Sequence, residues 1–421
     1  MNDFKGFYKK SYGERLKQVA QFADLDGSQL EVIHHHFDDT SSHLIENYLA
    51  DYGLPEGIAT NFVINGVEHL IPMVIEEPSV IAAASNGANM LRAGGGIHSK
   101  AQSRVLTGEV VLRVDRPAQF ERWVQENRLK LMEVARKAHP TVEKYGGVRD
   151  LSVTEIDEHY LSIELFVDVG DAMGANIINS MLEALSTYLE LNVDQSSLMS
   201  ILSNYGDRNL VQANGTVPFS ALRRGELDGQ TVAKKIAEAA MIAQKYPKRA
   251  ATHNKGIMNG IDAVLLATGN DWRAVESAVH AYAARKGQYQ GLSQWKVTDK
   301  GLTGTITIPV PSGIIGGATH LFAMSRINYQ ILNVNSALQF MEVIAAVGLA
   351  QNLAALKALV TDGIQRGHMN LQMKSLAMSA GATSYQLDTV VNELKKLPKN
   401  QRNLENTQRI LEGKFGSNGR K

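Results

Sequence analysis

The stretch LSVTEIDEHYLSIELFVDVGDAMGANIINSMLEALSTYLEL, Leu151–Leu191, decides the fold. LSVTEI reads as a short strand. HYLSIELFVDV places Leu161, Ile163, Leu165, Val167 and Val169 at every second position, the period of a strand with one buried face. AMGANIINSMLEALSTYLEL then reads as a helix. On the N-terminal side VLTGEVVLRV (Val105–Val114) is a strand, and PAQFERWVQENRLKLMEVARKA (Pro117–Ala138) reads as one amphipathic helix with proline near its start. On the C-terminal side LVQANGTVPF (Leu210–Phe219) closes the series as a strand. The order β-α-β-β-α-β is a split βαβ, ferredoxin-like unit. Its size suits a domain inserted at 105–219 into a larger one.

Residues 1–104 mix short helices with FVINGVEHLIP (Phe62–Pro72), a hairpin turning at Asn65-Gly66, and SVIAAASNGANMLRAGGG (Ser79–Gly96), a helix stopped by Gly94, Gly95 and Gly96. After 220 the chain returns to helix, with GLTGTITIPVP (Gly301–Pro311) as a strand. VIAAVGLAQNLAALKALV (Val343–Val360) is apolar but carries Gln351, Asn352 and Lys357, which fits a packed core helix better than a membrane span. The tail from about 370 reads as helical and polar, and its end GKFGSNGRK (Gly413–Lys421) is expected to fray. The expected fold class is α+β.

The chain has 421 residues, 43 Lys+Arg against 43 Asp+Glu, and no cysteine. The balanced charge draws it to neither nucleic acid nor an acidic membrane. Lack of cysteine excludes disulfides, thiolate metal sites and cysteine nucleophiles. The N-terminus has no apolar signal region, so a cytoplasmic protein is expected. No G-x-G-x-x-G follows a strand and no P-loop is present, and the glycine clusters RAGGGIHS and GIIGGAT match neither spacing.

Several residues invite chemistry, each with a plainer reading beside it. In DVGDAMGAN, Asp171 can cap the following helix and Gly174 can let a ligand approach its first turn; the alternative is an ordinary strand-to-helix junction. Glu76 and Glu77 sit between apolar runs, where two adjacent carboxylates are not both comfortably ionised and one can donate a proton; alternatively one is exposed and the other ion-paired. His368, between Gly367 and Met369, suits a mobile general acid or a surface histidine. His34, His35, His36, Asp38 and Asp39 are consecutive or nearly so, which points them in different directions and disfavours a metal site. Arg249 can pair with a substrate carboxylate. Lys255 is read at a helix start, where the dipole opposes a cation, so it needs a carboxylate partner from Asp271, Glu76 or Glu77. Such a cluster suits stabilisation of an oxyanion.

The motifs EEPSVIAAAS (76–85), DAMGAN (171–176), ILSNY (201–205), RAATHNKGIMNGIDAVLLATGNDWRAVE (249–276), GLAQNLAALKAL (348–359) and GIQRGHM (363–369) together resemble class II 3-hydroxy-3-methylglutaryl-coenzyme A (HMG-CoA) reductases, over nearly the whole chain. The resemblance implies a large HMG-CoA-binding domain in two parts (1–104 and 220–369), an inserted NAD(P)-binding domain (105–219) and a mobile C-terminal flap domain (370–421). It implies a two-step, four-electron reduction of HMG-CoA to mevalonate and coenzyme A with two NAD(P)H and no metal. By position, Glu77 resembles the proton donor to the carbonyl oxygen, Lys255 the oxyanion-stabilising lysine, Asp271 the aspartate linking the two, and His368 the acid that protonates the departing thiolate. Ser79, Arg249 and Asn259 match contacts to the HMG carboxylate and hydroxyl. Asp171, Met173, Asn176 and Asn204 match the dinucleotide site. The resemblance also implies a homodimer with its active site between subunits.

Two positions depart from the family pattern. Ala50 in ENYLA stands where glycine is usual, in a segment expected near substrate. Ala138 stands where NADH-preferring members carry an aspartate, and Arg136, Lys137 and His139 flank it, which points to NADPH. Rival expectations are the oxidative, mevalonate-degrading direction with NAD, a coenzyme A-binding protein without catalysis, and an amidase-type hydrolase pairing Lys255 with a serine such as Ser312.

Overall fold

The computed structural model describes residues 4–363 and 373–415. They fall into two compact units, Met1–Pro55 and Glu56–Lys421.

The first unit carries α1 (Tyr12–Ala23), α2 (Gly27–His35) and α3 (Asp39–Leu44). Reciprocal capping boxes start α1 (Ser11 with Glu14) and α2 (Asp26 with Gln29), so orphan N–H groups at both ends are satisfied locally. Tyr12, Phe37 and Tyr48 cluster, and the Tyr48 hydroxyl donates to Asp51 Oδ1 at 3.0 Å. Ala50 belongs to this unit. His35 Nδ1 lies 2.8 Å from the Glu31 carbonyl and Asp38 caps α3, so both serve local structure.

The second unit opens with the hairpin β1 (Glu56–Ile64) and β2 (Val67–Val74). Asn65 (φ 51°) and Gly66 (φ 83°) both occupy the left-handed region that a two-residue turn matching strand twist requires. There follow α4 (Val80–Arg92), β3 (Ile97–Ala101), β4 (Leu106–Arg113), α5 (Pro117–Glu126), α6 (Arg128–Ala138), β5 (Gly147–Glu155), β6 (Tyr160–Asp168), α7 (Ala175–Val193), β7 (Ser197–Ser203) and β8 (Leu210–Val217). Then come α8 (Phe219–Leu222), α9 (Gly229–Lys245), α10 (Pro247–Ala267), α11 (Trp272–Ala284), β9 (Ser293–Thr298), β10 (Gly301–Pro309), α12 (Ala323–Leu332), α13 (Ala337–Val360), α14 (Leu387–Lys396) and α15 (Leu404–Phe415).

Two sheets result. One has order β5-β6-β4-β7, the antiparallel ferredoxin-like arrangement, with α6 and α7 packed together beside it. The other has order β2-β1-β3-β8-β10-β9. The α+β class therefore holds. Two details differ from expectation. β7, not β8, closes the smaller sheet: β8 pairs with β3 and β10 and buries Val211, Ala213 and Val217 in the larger core. The expected single helix over 117–138 is broken at Asn127, whose side-chain amide and backbone N–H both donate to the Trp123 carbonyl, at 2.9 and 3.0 Å.

At the centre lies α13. It is long and apolar enough to cross a membrane, yet 72% of its most apolar window is buried inside the protein. It packs on α4, α10, α9 and the larger sheet. A helix hydrophobic on all sides is stable only when enclosed, and small residues set the distances. A Cβ on Gly87 of α4 would overlap the Ala350 carbonyl of α13, and Gly260 of α10 faces Val347 and Gln351. Residues 373–379 are helical, and Met373, Ala377, Val390, Val391 and Leu394 form a separate small apolar cluster with α14 and α15. The frayed end expected at Gly413–Lys421 lies, from 416 on, outside the described residues.

Gly87→Ala is expected to destabilise the fold by about 2–3 kcal/mol, because the new methyl meets backbone that cannot move aside. Gly13→Ala, which meets open space in α1, should not destabilise. Urea midpoints that fell equally in the two variants would contradict this account of the α4–α13 contact.

Candidate active site

The turn after β2 leads into α4, and α10 lies beside α13. Together these elements line a cavity of about 410 Å³ that contains Glu77, Ser79, Arg249, Lys255 and Asn259. The arrangement follows from helical spacing: Arg249, Thr252, Lys255 or Gly256, and Asn259 recur every three or four residues and share one face of α10. Glu76 and Glu77 are exposed in the turn rather than set against an apolar wall. Ser79 Oγ donates to Glu77 Oε1 at 2.9 Å, which fixes the carboxylate at the cavity mouth. Lys255 is not at a helix start. Pro247 begins α10, and Lys255 lies two turns in, clear of the N-terminal dipole. Among the described residues Lys255 forms no ion pair, with Glu77 or with any other carboxylate. Arg249 is half-buried, and burial pulls its guanidinium below the ordinary arginine value. Two cations and one carboxylate thus line a cavity with room for an anionic guest.

Beneath them is a polar layer that sequence reading missed. His253 is buried; its Nε2 lies 2.7 Å from Ser293 Oγ and 3.2 Å from Asn352 Nδ2. Asn352 Oδ1 accepts from Ser293 Oγ and from Trp295 Nε1, each at 2.8 Å. Burial, reinforced by the neighbouring Arg249 charge, pushes the His253 pKa down to about 4. The imidazole is therefore neutral near pH 7 and adds no third cation to the cavity. Gln351 also lines the cavity from α13. The only sequence signal for this layer was the presence of polar residues inside otherwise apolar helices.

A second cavity, of about 570 Å³, lies where the smaller sheet meets the loop after β10. Met173, Gly174, Asn176, Asn270, Asp271 and Trp272 line it, with Ile315, Gly316 and Gly317 from the glycine cluster that matched no nucleotide fingerprint. The start of α7 has no side-chain cap, so its first N–H groups are free for a ligand. Asp171 does not cap α7. Its Oδ1 accepts the N–H of Ala337, the first residue of α13, at 2.7 Å. Gly174 serves conformation and packing as much as ligand approach: its φ is 96°, and a Cβ there would press on Val169 and Leu106. Asn204 is exposed just past β7, outside the residues lining this cavity. Arg136, Lys137 and His139 sit at the C-terminal end of α6. They share that end of the sheet with the loop after β6, because Gly147 pairs with Asp168 and Gly170 abuts Tyr145. Arg136 pairs with Glu143 at 3.5 Å and Lys137 with Glu133 at 2.7 Å, while His139 Nδ1 lies 3.1 Å from Thr141 Oγ1.

Within one chain Lys255 and Asp271 do not meet. Ala267 lies twelve positions along α10 from Lys255, about 18 Å along the axis, and Asp271 lies beyond that end in the other cavity. Asp271 caps α11, accepting from Ala274 N at 3.2 Å, and pairs with Arg273 at 3.1 Å. Ser312 is fully buried and absent from the Lys255 cavity, which removes the serine–lysine hydrolase. His368 lies outside the described residues.

The family model described as hydroxymethylglutaryl-coenzyme A reductase matches residues 11–373. The chain belongs to this family. A 3-hydroxy-3-methylglutaryl-coenzyme A reductase of Archaeoglobus fulgidus is 43% identical over 396 residues, covering 92% of this chain and 89% of the relative. A probable reductase of Borreliella burgdorferi is 33% identical over 388 residues, 88% and 86% of the two chains. A Streptococcus pneumoniae reductase structure superposes with a TM-score of 0.75 at 41% identity, covering 98% of this chain and 99% of that one. A further structure of the class II S. pneumoniae enzyme, bound to NADPH in open conformations, gives the same TM-score and identity over 96% and 99%. The chain is thus a bacterial-type HMG-CoA reductase, an oxidoreductase.

The depressed His253 pKa has a consequence for stability. The unfolded chain, with its histidine near the ordinary 6.5, binds a proton that the folded chain refuses down to about pH 4. The contribution is complete above pH 6.5 and is lost as pH falls from there to about 4. It amounts to up to about 3 kcal/mol. His253→Gln is expected to flatten the stability–pH curve in this window. An unchanged slope in denaturant titrations would remove His253 as its source.

Proposed function

We propose that the chain reduces HMG-CoA to mevalonate and coenzyme A, with the groups of the first cavity handling substrate and those of the second holding the dinucleotide. The observation that carries this reading is the pair of cations, Arg249 and Lys255, in one cavity with Glu77 and Asn259, neither of them in an ion pair among the described residues. Arg249, Ser79 and Asn259 hold the HMG carboxylate and hydroxyl. Lys255 faces the oxygen on which charge develops, and Glu77 supplies its proton. His368 protonates the departing thiolate. The smaller layer is the dinucleotide-binding domain, and the helices after 373 are the flap. The uncapped start of α7, with Met173 and Asn176 beside it, fits the pyrophosphate or amide of a nicotinamide dinucleotide. Bound there, that group supplies hydride. The protein is cytoplasmic, and the oxidative direction would use the same groups in reverse.

Asp271 then serves the site of a second copy. The separation along α10 is what supports this: one chain carries two half-sites, and a homodimer completes both. Lys255→Ala and Asp271→Ala should each abolish HMG-CoA-dependent NADPH oxidation. Co-expressed, they should recover about a quarter of wild-type activity, because half the dimers are mixed and each has one intact site. No recovery from a verified mixed dimer would show that Lys255 and Asp271 act within one chain.

NADPH is the preferred donor. No carboxylate stands at Ala138, and the ion pairs of Arg136 and Lys137 are exposed enough to yield to a 2′-phosphate at little cost. A kcat/KM higher for NADPH than for NADH is expected, and the gap should narrow in Lys137→Ala. Equal values for the two cofactors in the wild type would overturn the preference.

A further inference from the structure

Arg104 lies in the link between β3 and β4, where the chain enters the smaller layer. It is 7% exposed and forms no ion pair among the described residues. A buried guanidinium without a carboxylate partner is costly and calls for an explanation. Its Nε donates to the Gly170 carbonyl and its Nη2 to the Ala172 carbonyl, while Nη1 is buried without a partner. Burial lowers its pKa to about 10, partly offset by Asp171 and Asp168, so it remains charged at neutral pH.

The loop it grips is the one that opens α7. The remaining carbonyl, that of Asp171, accepts from Ile314 N at 2.9 Å and from Ile315 N at 3.3 Å. Three successive carbonyls, Gly170, Asp171 and Ala172, are therefore all engaged by protein donors. In a planar trans peptide the C=O and the following N–H point in opposite directions. With the Gly170 and Ala172 oxygens turned toward the guanidinium, the N–H groups of Asp171 and Met173 are directed away from it. Met173 and the uncapped first turn of α7 line the second cavity. Gly313 admits this loop closely: a Cβ there would collide with the backbone of Ala172 and Met173.

We propose that Arg104 is a positioning residue for the dinucleotide, using its buried fork on two loop carbonyls to hold the α7 entrance in its ligand-receiving conformation. The proposal rests on the reading of the second cavity as the dinucleotide site. A lysine cannot reproduce it, since a single ammonium lacks the planar fork that spans two acceptors.

The test compares Arg104→Ala, Arg104→Lys and the cavity variant Asn176→Ala by NADPH fluorescence titration and by steady-state kinetics with HMG-CoA. Both arginine variants should raise the Kd and KM for NADPH at least tenfold while the KM for HMG-CoA changes less than twofold. Guanidinium or methylguanidinium at millimolar levels should restore NADPH binding to Arg104→Ala but not to Asn176→Ala. Soluble, cooperatively melting Arg104→Lys with unchanged NADPH affinity would overturn the proposal. So would equal losses for both substrates without guanidinium rescue, which would mark Arg104 as merely structural. If Asn176→Ala left NADPH affinity unchanged, the assignment of the cavity would fail instead.

Discussion

The enclosure of α13 is the constraint from which the rest of the structure follows. A helix apolar on every face leaves no side for solvent, so neighbours must close around it at short range. Short range requires small residues, and the sequence places them at the contacts: Gly87 on α4, Gly260 on α10, Gly348 and the alanines on α13 itself. Once α4 and α10 are held against the same helix, the turn before α4 and one face of α10 necessarily adjoin. That is how Glu77 and Ser79 come beside Arg249, Lys255 and Asn259, although about 170 residues lie between them in sequence.

The same helix anchors the loop beside the second cavity. The carboxylate of Asp171 accepts the first N–H of α13, where an anion meets the positive end of the helix dipole. The loop that opens α7 is thus pinned to the core helix on one side and to the Ile314–Ile315 backbone on another. The chain enters and leaves the smaller layer through two adjacent passages, tied by Val105 N to the Arg208 carbonyl at 3.1 Å and Gln102 N to the Leu210 carbonyl at 2.8 Å. The smaller layer is attached at its base and carries its own core.

Much of this was legible in the sequence, and the failures have identifiable causes. The strand period of 160–168, the Asn65-Gly66 turn and the core character of 343–360 are local signals that packing reinforces. β7 was missed because SLMSILS buries no residue fully and leaves Leu198, Met199 and Ile201 exposed, so alternation carried no burial signal. β8 alternates well, but period alone cannot say which sheet a strand joins. Asp171 was assigned to the nearest helix, whereas its partner is 166 residues away. Lys255 was placed at a helix start, amid glycine and asparagine, which are poor helix formers; contact with α13 outweighs that preference and explains Gly260, whose Cβ would press on Val347 and Gln351. His253 drew no reading, and Asn352 read only as a polar residue in a core helix, because their partners Ser293 and Trp295 come from β9.

The least legible feature is the separation of Lys255 from Asp271. Lys255 was expected to take a carboxylate partner from Asp271, Glu76 or Glu77, and Asp271 is the one that lies beyond the end of the same helix. A straight helix forbids that pair, since the residues between them convert to length rather than to closeness. One rigid helix that presents a cation two turns in and a carboxylate past its end is poorly suited to a single internal site. It is well suited to two-fold symmetry, in which the far end of one copy reaches the near end of the other and each helix serves two sites at once. Under the proposed arrangement the cavity of one copy lined by Asp271 would face the Lys255 cavity of its partner, and the hydride donor and acceptor would come from different chains.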